Sequence, residues 1–263
     1  MRLARLVLPL LAILAASPAF AKMVAKPVDW TLDGTTFRSM LVYDDASTAK
    51  RPGLVMVPNW FGINDTAVAK AKMIAGQDYV ILLTDMYGEG TRPKGDAQAK
   101  AAVAPLYADR RLMRKRIGRA FEQFKAEAAN APIDPSRLAA IGFCFGGGVV
   151  LDLARSGSDA KAVVAFHGDL STDDPALAKN IKARVLAMNG ADDTYTMPDA
   201  PKFTEQMRSS SADWQFVEIG HAVHCFTETE ATAKTGGCRY DAKAAARSYT
   251  MMRDWLTESF ATN

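Results

Sequence analysis

The chain is poor in the residues that most narrow a chemical search: its 263 residues include only three histidines, three cysteines and four tryptophans. With so few imidazoles, the candidates for proton transfer near neutral pH can be examined one by one. A large net charge is also missing, since 32 Lys and Arg stand against 29 Asp and Glu. That balance gives no argument for a nucleic-acid partner or for attraction to an acidic membrane. No apolar run reaches the roughly 18 residues that a membrane span requires. A Gly-Lys-Ser/Thr phosphate loop is absent, and Cys144 stands where Gly-x-Gly-x-x-Gly needs its second glycine, so nucleotide binding loses its usual signatures. There is no internal repeat, low-complexity tract or shift of composition to divide the chain.

The first 21 residues have the form of an export signal. Arg2 and Arg5 make a basic start, Leu6 to Ala16 form a short apolar stretch, and Ala19-Phe20-Ala21 has the small-x-small form of a cleavage site. The expectation is a signal peptide over residues 1–21 and an exported, periplasmic or secreted protein without a membrane span after its removal. Residues 22–263 then form a single domain, with a formal charge one above neutrality once Arg2 and Arg5 are gone. Three cysteines is an odd number for such a compartment. Cys225 and Cys238, 13 residues apart, are a possible disulfide that would leave Cys144 free. Three reduced thiols, two of them simply packed, is the other arrangement.

Short apolar runs alternate with helical periodicities. Val28–Leu32 and Thr36–Tyr43 predict a hairpin turning at Asp33-Gly34. Gly53–Pro58, Tyr79–Leu83, Leu138–Phe143, Val163–Phe166, Arg184–Met188 and Trp214–Ile219 predict further strands. Between them, Asn64-Asp65 can cap a helix carrying Val68, Ala71, Met73 and Ile74. Other helices are expected over Asp96–Tyr107, Asp109–Ala129 and Ala200–Ser210, with a last one presenting Ala245, Tyr249, Met252, Leu256 and Phe260 on one face. The basic run Arg110, Arg111, Arg114, Lys115, Arg116 and Arg119 lies beside Met113, Ile117, Ala120, Phe121 and Phe124, which predicts a solvated helix face. Uniformly apolar strands alternating with amphipathic helices imply an α/β fold, a mostly parallel sheet covered on both faces.

One segment carries chemistry. Gly142-Phe143-Cys144-Phe145-Gly146-Gly147-Gly148 follows a predicted strand and precedes Val149-Val150-Leu151, placing a thiol at the apex of a sharp strand-to-helix turn. Such a nucleophile elbow needs glycine near the apex, because a Cβ there would collide with the apex residue or the helix backbone. A thiol nucleophile also needs a base and a group to hold that base. His221 and His224 sit in Gly220-His221-Ala222-Val223-His224-Cys225-Phe226 after the last predicted strand, and His167 follows Val163–Phe166. Gly190-Ala191-Asp192-Asp193 follows Arg184–Met188 and supplies an acid. The order cysteine, acid, histidine is that of the α/β-hydrolase arrangement.

Together these segments resemble the dienelactone hydrolase family. Gly142-Phe143-Cys144-Phe145-Gly146-Gly147 is similar to its Gly-x-Cys-x-Gly-Gly elbow, Gly190-Ala191-Asp192-Asp193 to its Gly-x-x-Asp turn, and His221–Phe226 to its histidine loop. Phe61-Gly62-Ile63-Asn64 resembles its Phe/Trp-Gly-x-Asn segment, and the likeness runs from about Thr31 to the C-terminus. The resemblance selects Asp193 over Asp192 and His224 over His221. It implies an α/β-hydrolase fold and a cofactor-free, metal-free hydrolase of small ester or lactone substrates. Cys144 would be the nucleophile, His224 the base and Asp193 its orienting acid. The backbone N–H groups of Phe145 and Trp60 would hold the oxyanion, with Asn59 and Phe61 lining the pocket. Two positions depart from the family's founding enzyme. Asn59 replaces a glutamate beside the thiol, and Glu228 stands where an arginine follows the histidine. Both argue against dienelactone itself as substrate. Two other functions fit the same residues: a thiol redox protein with Cys225 as resolving thiol, and a binding protein without catalysis on the same scaffold.

Overall fold

The computed structural model describes residues 22–261, so the expected signal peptide lies outside the described residues. One eight-stranded sheet runs in the order β1-β2-β4-β3-β5-β6-β7-β8. Its strands are β1 (Met23–Leu32), β2 (Thr35–Asp44), β3 (Arg51–Val57), β4 (Val80–Leu83), β5 (Ile133–Phe143), β6 (Ala162–Phe166), β7 (Arg184–Gly190) and β8 (Trp214–Ile219). The helices are α1 (Asp65–Ala75), α2 (Asp96–Ala108), α3 (Arg110–Ala126), α4 (Phe145–Arg155), α5 (Ala200–Arg208) and α6 (Ala242–Ala261).

β1 and β2 form the antiparallel edge, and β2 pairs antiparallel with β4. Their turn at Asp33-Gly34 has φ of 49° and 77°, the two left-handed residues of a tight hairpin, which matches the twist of the strands. From β4 onward every neighbour is parallel. Successive side chains of a strand face opposite ways, so each parallel strand feeds two cores. Val55, Val57, Ala140, Val163 and Val185 pack with Ile117, Phe121 and Phe124 of α3, Val149 and Val150 of α4 and Phe203 of α5. Leu54, Met56, Ile141, Val164 and Leu186 pack with Ala71 and Ile74 of α1 and Met252 and Leu256 of α6. Burial of each large side chain contributes about 1.5–3 kcal/mol. No helix among the described residues is long and apolar enough to cross a membrane.

Several local expectations need correction. Met73 does not share the buried face of α1 but is 51 % exposed, because Ala67, Ala71, Ile74 and Ala75 point inward. The helix expected to reach Ala129 ends at Ala126 and continues as a 3-10 turn. β5 starts at Ile133, ahead of its expected beginning at Leu138, since Ile133 and Asp134 pair with Arg51 and Pro52 before the register shifts. The basic run on α3 is only partly solvated. Arg110 is buried, where it donates to Asp169 and to Ser171 Oγ, and Arg114 bonds Asp173 bidentately. Periodicity sees apolar spacing but not acids supplied by a distant loop.

Candidate active site

The C-terminal ends of β3, β5, β6, β7 and β8 open on one rim, which is where open parallel sheets present their ligand crevice. β5 ends at Phe143 and α4 starts at Phe145, leaving Cys144 alone at the turn with φ 53° and ψ −118°. That left-handed conformation is costly for a residue with a side chain and persists only when its surroundings hold it. Here Cys144 N–H donates to Phe166 O at 3.0 Å, and Cys144 O accepts from Gly147 N–H at 2.9 Å. A Cβ on Gly142 would strike Gly146 O, and one on Gly146 would strike Val57 O. The helix therefore starts hard against β3 because these positions lack side chains.

Asp193 leaves the end of β7 and is fully buried. Its Oδ1 accepts from Tyr195 N–H at 2.9 Å, and its Oδ2 from the Thr196 hydroxyl at 2.7 Å. Asn189 Nδ2 in turn donates to Thr196 Oγ1 at 2.7 Å. His224, beyond β8, places Nδ1 at 2.7 Å from Asp193 Oδ2 and Nε2 at 3.1 Å from Cys144 Sγ. With Nδ1–H donating to the carboxylate, Nε2 is the ring nitrogen that shares the thiol proton. Burial opposes charge on this ring, but the hydrogen bonds to Asp193 and Cys144 outweigh it and push its pKa up to about 10. Burial likewise works against the Asp193 carboxylate, yet the bond and charge of His224 hold it below its ordinary range. The three side chains thus form one continuous line of contacts from sulfur to carboxylate.

The remaining residues fall around this line. The backbone N–H of Phe145 belongs to the first turn of α4, where no helical carbonyl lies behind it to accept. Trp60 and Phe61 follow β3 and are half-buried. Asn59 Oδ1 accepts from Phe61 N–H at 3.0 Å, and its Nδ2 donates to Glu228 Oε2 at 2.7 Å. Cys225 and Cys238 are joined in a disulfide, and Cys144 is the free cysteine. His221 is exposed. His167 is buried, with Nε2 at 2.7 Å from Thr227 Oγ1 and its ring edge-on to His224. Burial, followed by the charges of His224 and Lys70, holds its pKa well below the ordinary histidine value.

Three neighbours escaped sequence inspection. Tyr87 donates its hydroxyl to Trp60 O at 2.9 Å and stacks on Phe145. Tyr107 meets Phe145 edge-on. Burial raises the pKa of the Tyr87 phenol and keeps it protonated. Lys70 on α1 reaches Glu228 Oε1 at 2.7 Å. Its signal was legible, since position 70 shares a helical face with the buried Ala67 and Ile74. Clefts of about 670 and 710 Å3 lie elsewhere, the first sharing only Tyr87 with this site. The convergence of side chains, not cavity size, locates the chemistry.

A parallel sheet with an elbow thiol, a histidine beyond the last strand and an acid before it is the plan of an α/β hydrolase. Residues 37–260 match the dienelactone hydrolase family. The chain belongs to that family and is a hydrolase of ester or lactone bonds. The solved structure titled m3DLH is 35 % identical, superposes with a TM-score of 0.84, and the match covers 91 % of this chain and 99 % of that one. A dienelactone hydrolase-like promiscuous phosphotriesterase, P91, from metagenomic libraries is also 35 % identical, with a TM-score of 0.81 and coverage of 90 % and 98 %. A putative carboxymethylenebutenolidase of Yersinia pestis is 22 % identical over 86 % of this chain and 85 % of its own.

Proposed function

We propose that the chain hydrolyses small, uncharged esters or lactones through a Cys144–His224–Asp193 triad with a backbone oxyanion hole. Cys144 Sγ attacks the carbonyl carbon, its proton already held by His224 Nε2. The carbonyl oxygen, now negative, is held by the N–H groups of Phe145 and Trp60. Such donors typically contribute about 3–4 kcal/mol each. Collapse of the tetrahedral adduct breaks the carbon–oxygen ester bond, and the alkoxide leaves with the proton from His224. Water then gives a proton to His224 and attacks the thioester, releasing the acid and restoring the starting pair of Cys144 and His224. Asp193 keeps the imidazole in one tautomer and balances its transient charge.

The observation that carries this reading is the thiol-to-imidazole distance of 3.1 Å with the imidazole bonded to a buried carboxylate. A neutral substrate is favoured by what stands beyond His224. Glu228 occupies the place of a substrate-gripping arginine, and the guanidinium of Arg110 is taken by Asp169 and Ser171. The redox alternative loses its resolving thiol, since Cys225 is bonded to Cys238. Export to an oxidising compartment is proposed from the residues 1–21 pattern, and the disulfide suits it. An N-terminus at Lys22 in protein recovered from the periplasm or medium checks that point.

Cys144→Ala tests the chemistry. Turnover of p-nitrophenyl acetate should fall by at least about a thousandfold with the fold intact. An ester-mimicking covalent inhibitor should label Cys144 stoichiometrically in the wild type. Full activity in the variant, or a label mapped elsewhere, refutes the assignment. A wild type inert toward a panel of esters, lactones and thioesters leaves only the binding role.

A further inference from the structure

Glu228 is a buried carboxylate that the steps above do not use, and it lies between the two loops that carry the chemistry. It is 4 % exposed, four residues beyond His224 on the same loop. Its two oxygens face different partners. Oε1 is 2.7 Å from Lys70 Nζ, and Oε2 accepts from Asn59 Nδ2 at 2.7 Å. Lys70 is itself almost enclosed, with its ammonium 4.3 Å from the centre of the Phe143 ring. A lone carboxylate at this depth would be strongly disfavoured, and its partner cation makes the charged form tolerable. Glu230 shares the same asparagine amide, with Asn59 Nδ2 at 3.3 Å from its Oε1. Burial and the adjacent charge of Glu228 raise the pKa of Glu230.

The asparagine passes this constraint to the backbone. Its amide orientation is settled chemically, because Nδ2 must donate to the carboxylate while Oδ1 accepts from Phe61 N–H at 3.0 Å. Asn59 O also accepts from Gly62 N–H at 2.9 Å. Trp60 N–H, the proposed oxyanion donor, lies between these two anchored points. The two positions that depart from the founding enzyme, 59 and 228, are therefore a single contact.

The geometry assigns Glu228 as a positioning residue: through Asn59 its carboxylate fixes the backbone around Trp60, aligning the oxyanion donor with the loop that carries His224. This assignment rests on the proposed hydrolytic role of Cys144. A carboxylate introduced at position 59 would face the one already at 228. An amide introduced at position 228 would turn its NH2 group against either the asparagine NH2 or the Lys70 ammonium. Making both exchanges together restores the bonds to Lys70, to Phe61 N–H and between the two positions, and gives up only the longer 3.3 Å contact to Glu230. The new amide oxygen at 228 then faces Lys70, and its nitrogen donates to the new carboxylate at 59.

The test is the reciprocal exchange. Glu228→Gln and Asn59→Asp should each lower kcat for p-nitrophenyl acetate by about 10- to 100-fold, the scale of a misplaced catalytic group, with KM within about twofold. The double variant N59D/E228Q should recover to within about fivefold of wild type. Alkylation of Cys144 by iodoacetamide needs the thiol and imidazole but no oxyanion donor, so its rate should stay near wild type in all three proteins. Singles that keep wild-type kcat overturn the assignment, as does a double variant no better than its worse parent. Alkylation falling in step with kcat also overturns it, because the defect then lies at the thiol–imidazole pair. Failure of the triad itself would appear separately, as wild-type turnover that survives Cys144→Ala.

Discussion

Cys144 and His224 approach within 3.1 Å, yet the backbone beneath each is held by different means. Around Cys144 the restraints are steric and nearly local. A left-handed residue sits between a strand and a helix whose glycines permit contact with Val57 and Gly168. The histidine loop meets a glycine of β7, with Gly190 against Ala222 O, but is held mainly by other means. His221 and Cys225 are both left-handed at φ 64°, and bonds from elsewhere hold the segment. His224 O accepts from Arg239 N–H at 3.0 Å, Phe226 O from Asp241 N–H at 3.1 Å, and the disulfide closes the loop. Lys70 on α1 and Asn59 beyond β3 fasten Glu228. One half of the site is built by the chain's own turn, the other by cross-links, so the two should fail differently.

The largest effect is expected where the two halves communicate. Asp193→Asn leaves the shape in place but cannot hold the imidazole tautomer, and kcat should drop by roughly 10³–10⁴. A loss below tenfold in steady-state assays would show that the acid has no part in aligning His224. Next comes the elbow. Gly146→Ala drives a Cβ into Val57 O and should cost roughly 3 kcal/mol, a melting temperature lower by about 6–12 °C. Unchanged melting would mean that the elbow is looser than its contacts imply.

On the other side of the comparison, the double variant C225S/C238S should lose up to about 3 kcal/mol, the chain-entropy value for a loop of this size. Ester turnover should fall about tenfold as His224 loses its tether, and alkylation of Cys144, which also needs the imidazole, should fall in step with it. Wild-type turnover in the double variant would show that the disulfide does not hold His224 in place.

The smallest effect concerns pH. The folded pKa of His224, about 10, lies above the ordinary value near 6.5. Stability from the charged ring is therefore complete below about pH 6.5 and is lost as pH rises toward 10. The melting-temperature gap between wild type and His224→Gln should narrow across that window, and a constant gap would contradict it.

Much of this could be read from residues near one another in the chain. The hairpin at Asp33-Gly34, the apolar strands and the glycine-flanked Cys144 all follow from local pattern, because backbone sterics and side-chain alternation act over a few residues. Where distant groups intervene, pattern failed. Arg110 looked solvated, but Asp169 and Ser171 bury it. Asn59 and Glu228 stood out as separate departures, and nothing in a one-dimensional reading placed them in contact. Met73 was misplaced because a spacing of three or four residues does not say which side of α1 meets the sheet.

Sequence by itself determined the α/β alternation, the elbow and the set of side chains able to transfer a proton, since these depend on residue type and short-range geometry. Tertiary structure decided the distances at which His224 meets the thiol and Asp193 meets His224, and that a carboxylate on one loop braces the backbone of another. Those facts are distances across the sheet, set by the packing of β3, β5, β7 and β8 in one sheet, and no local rule contains them.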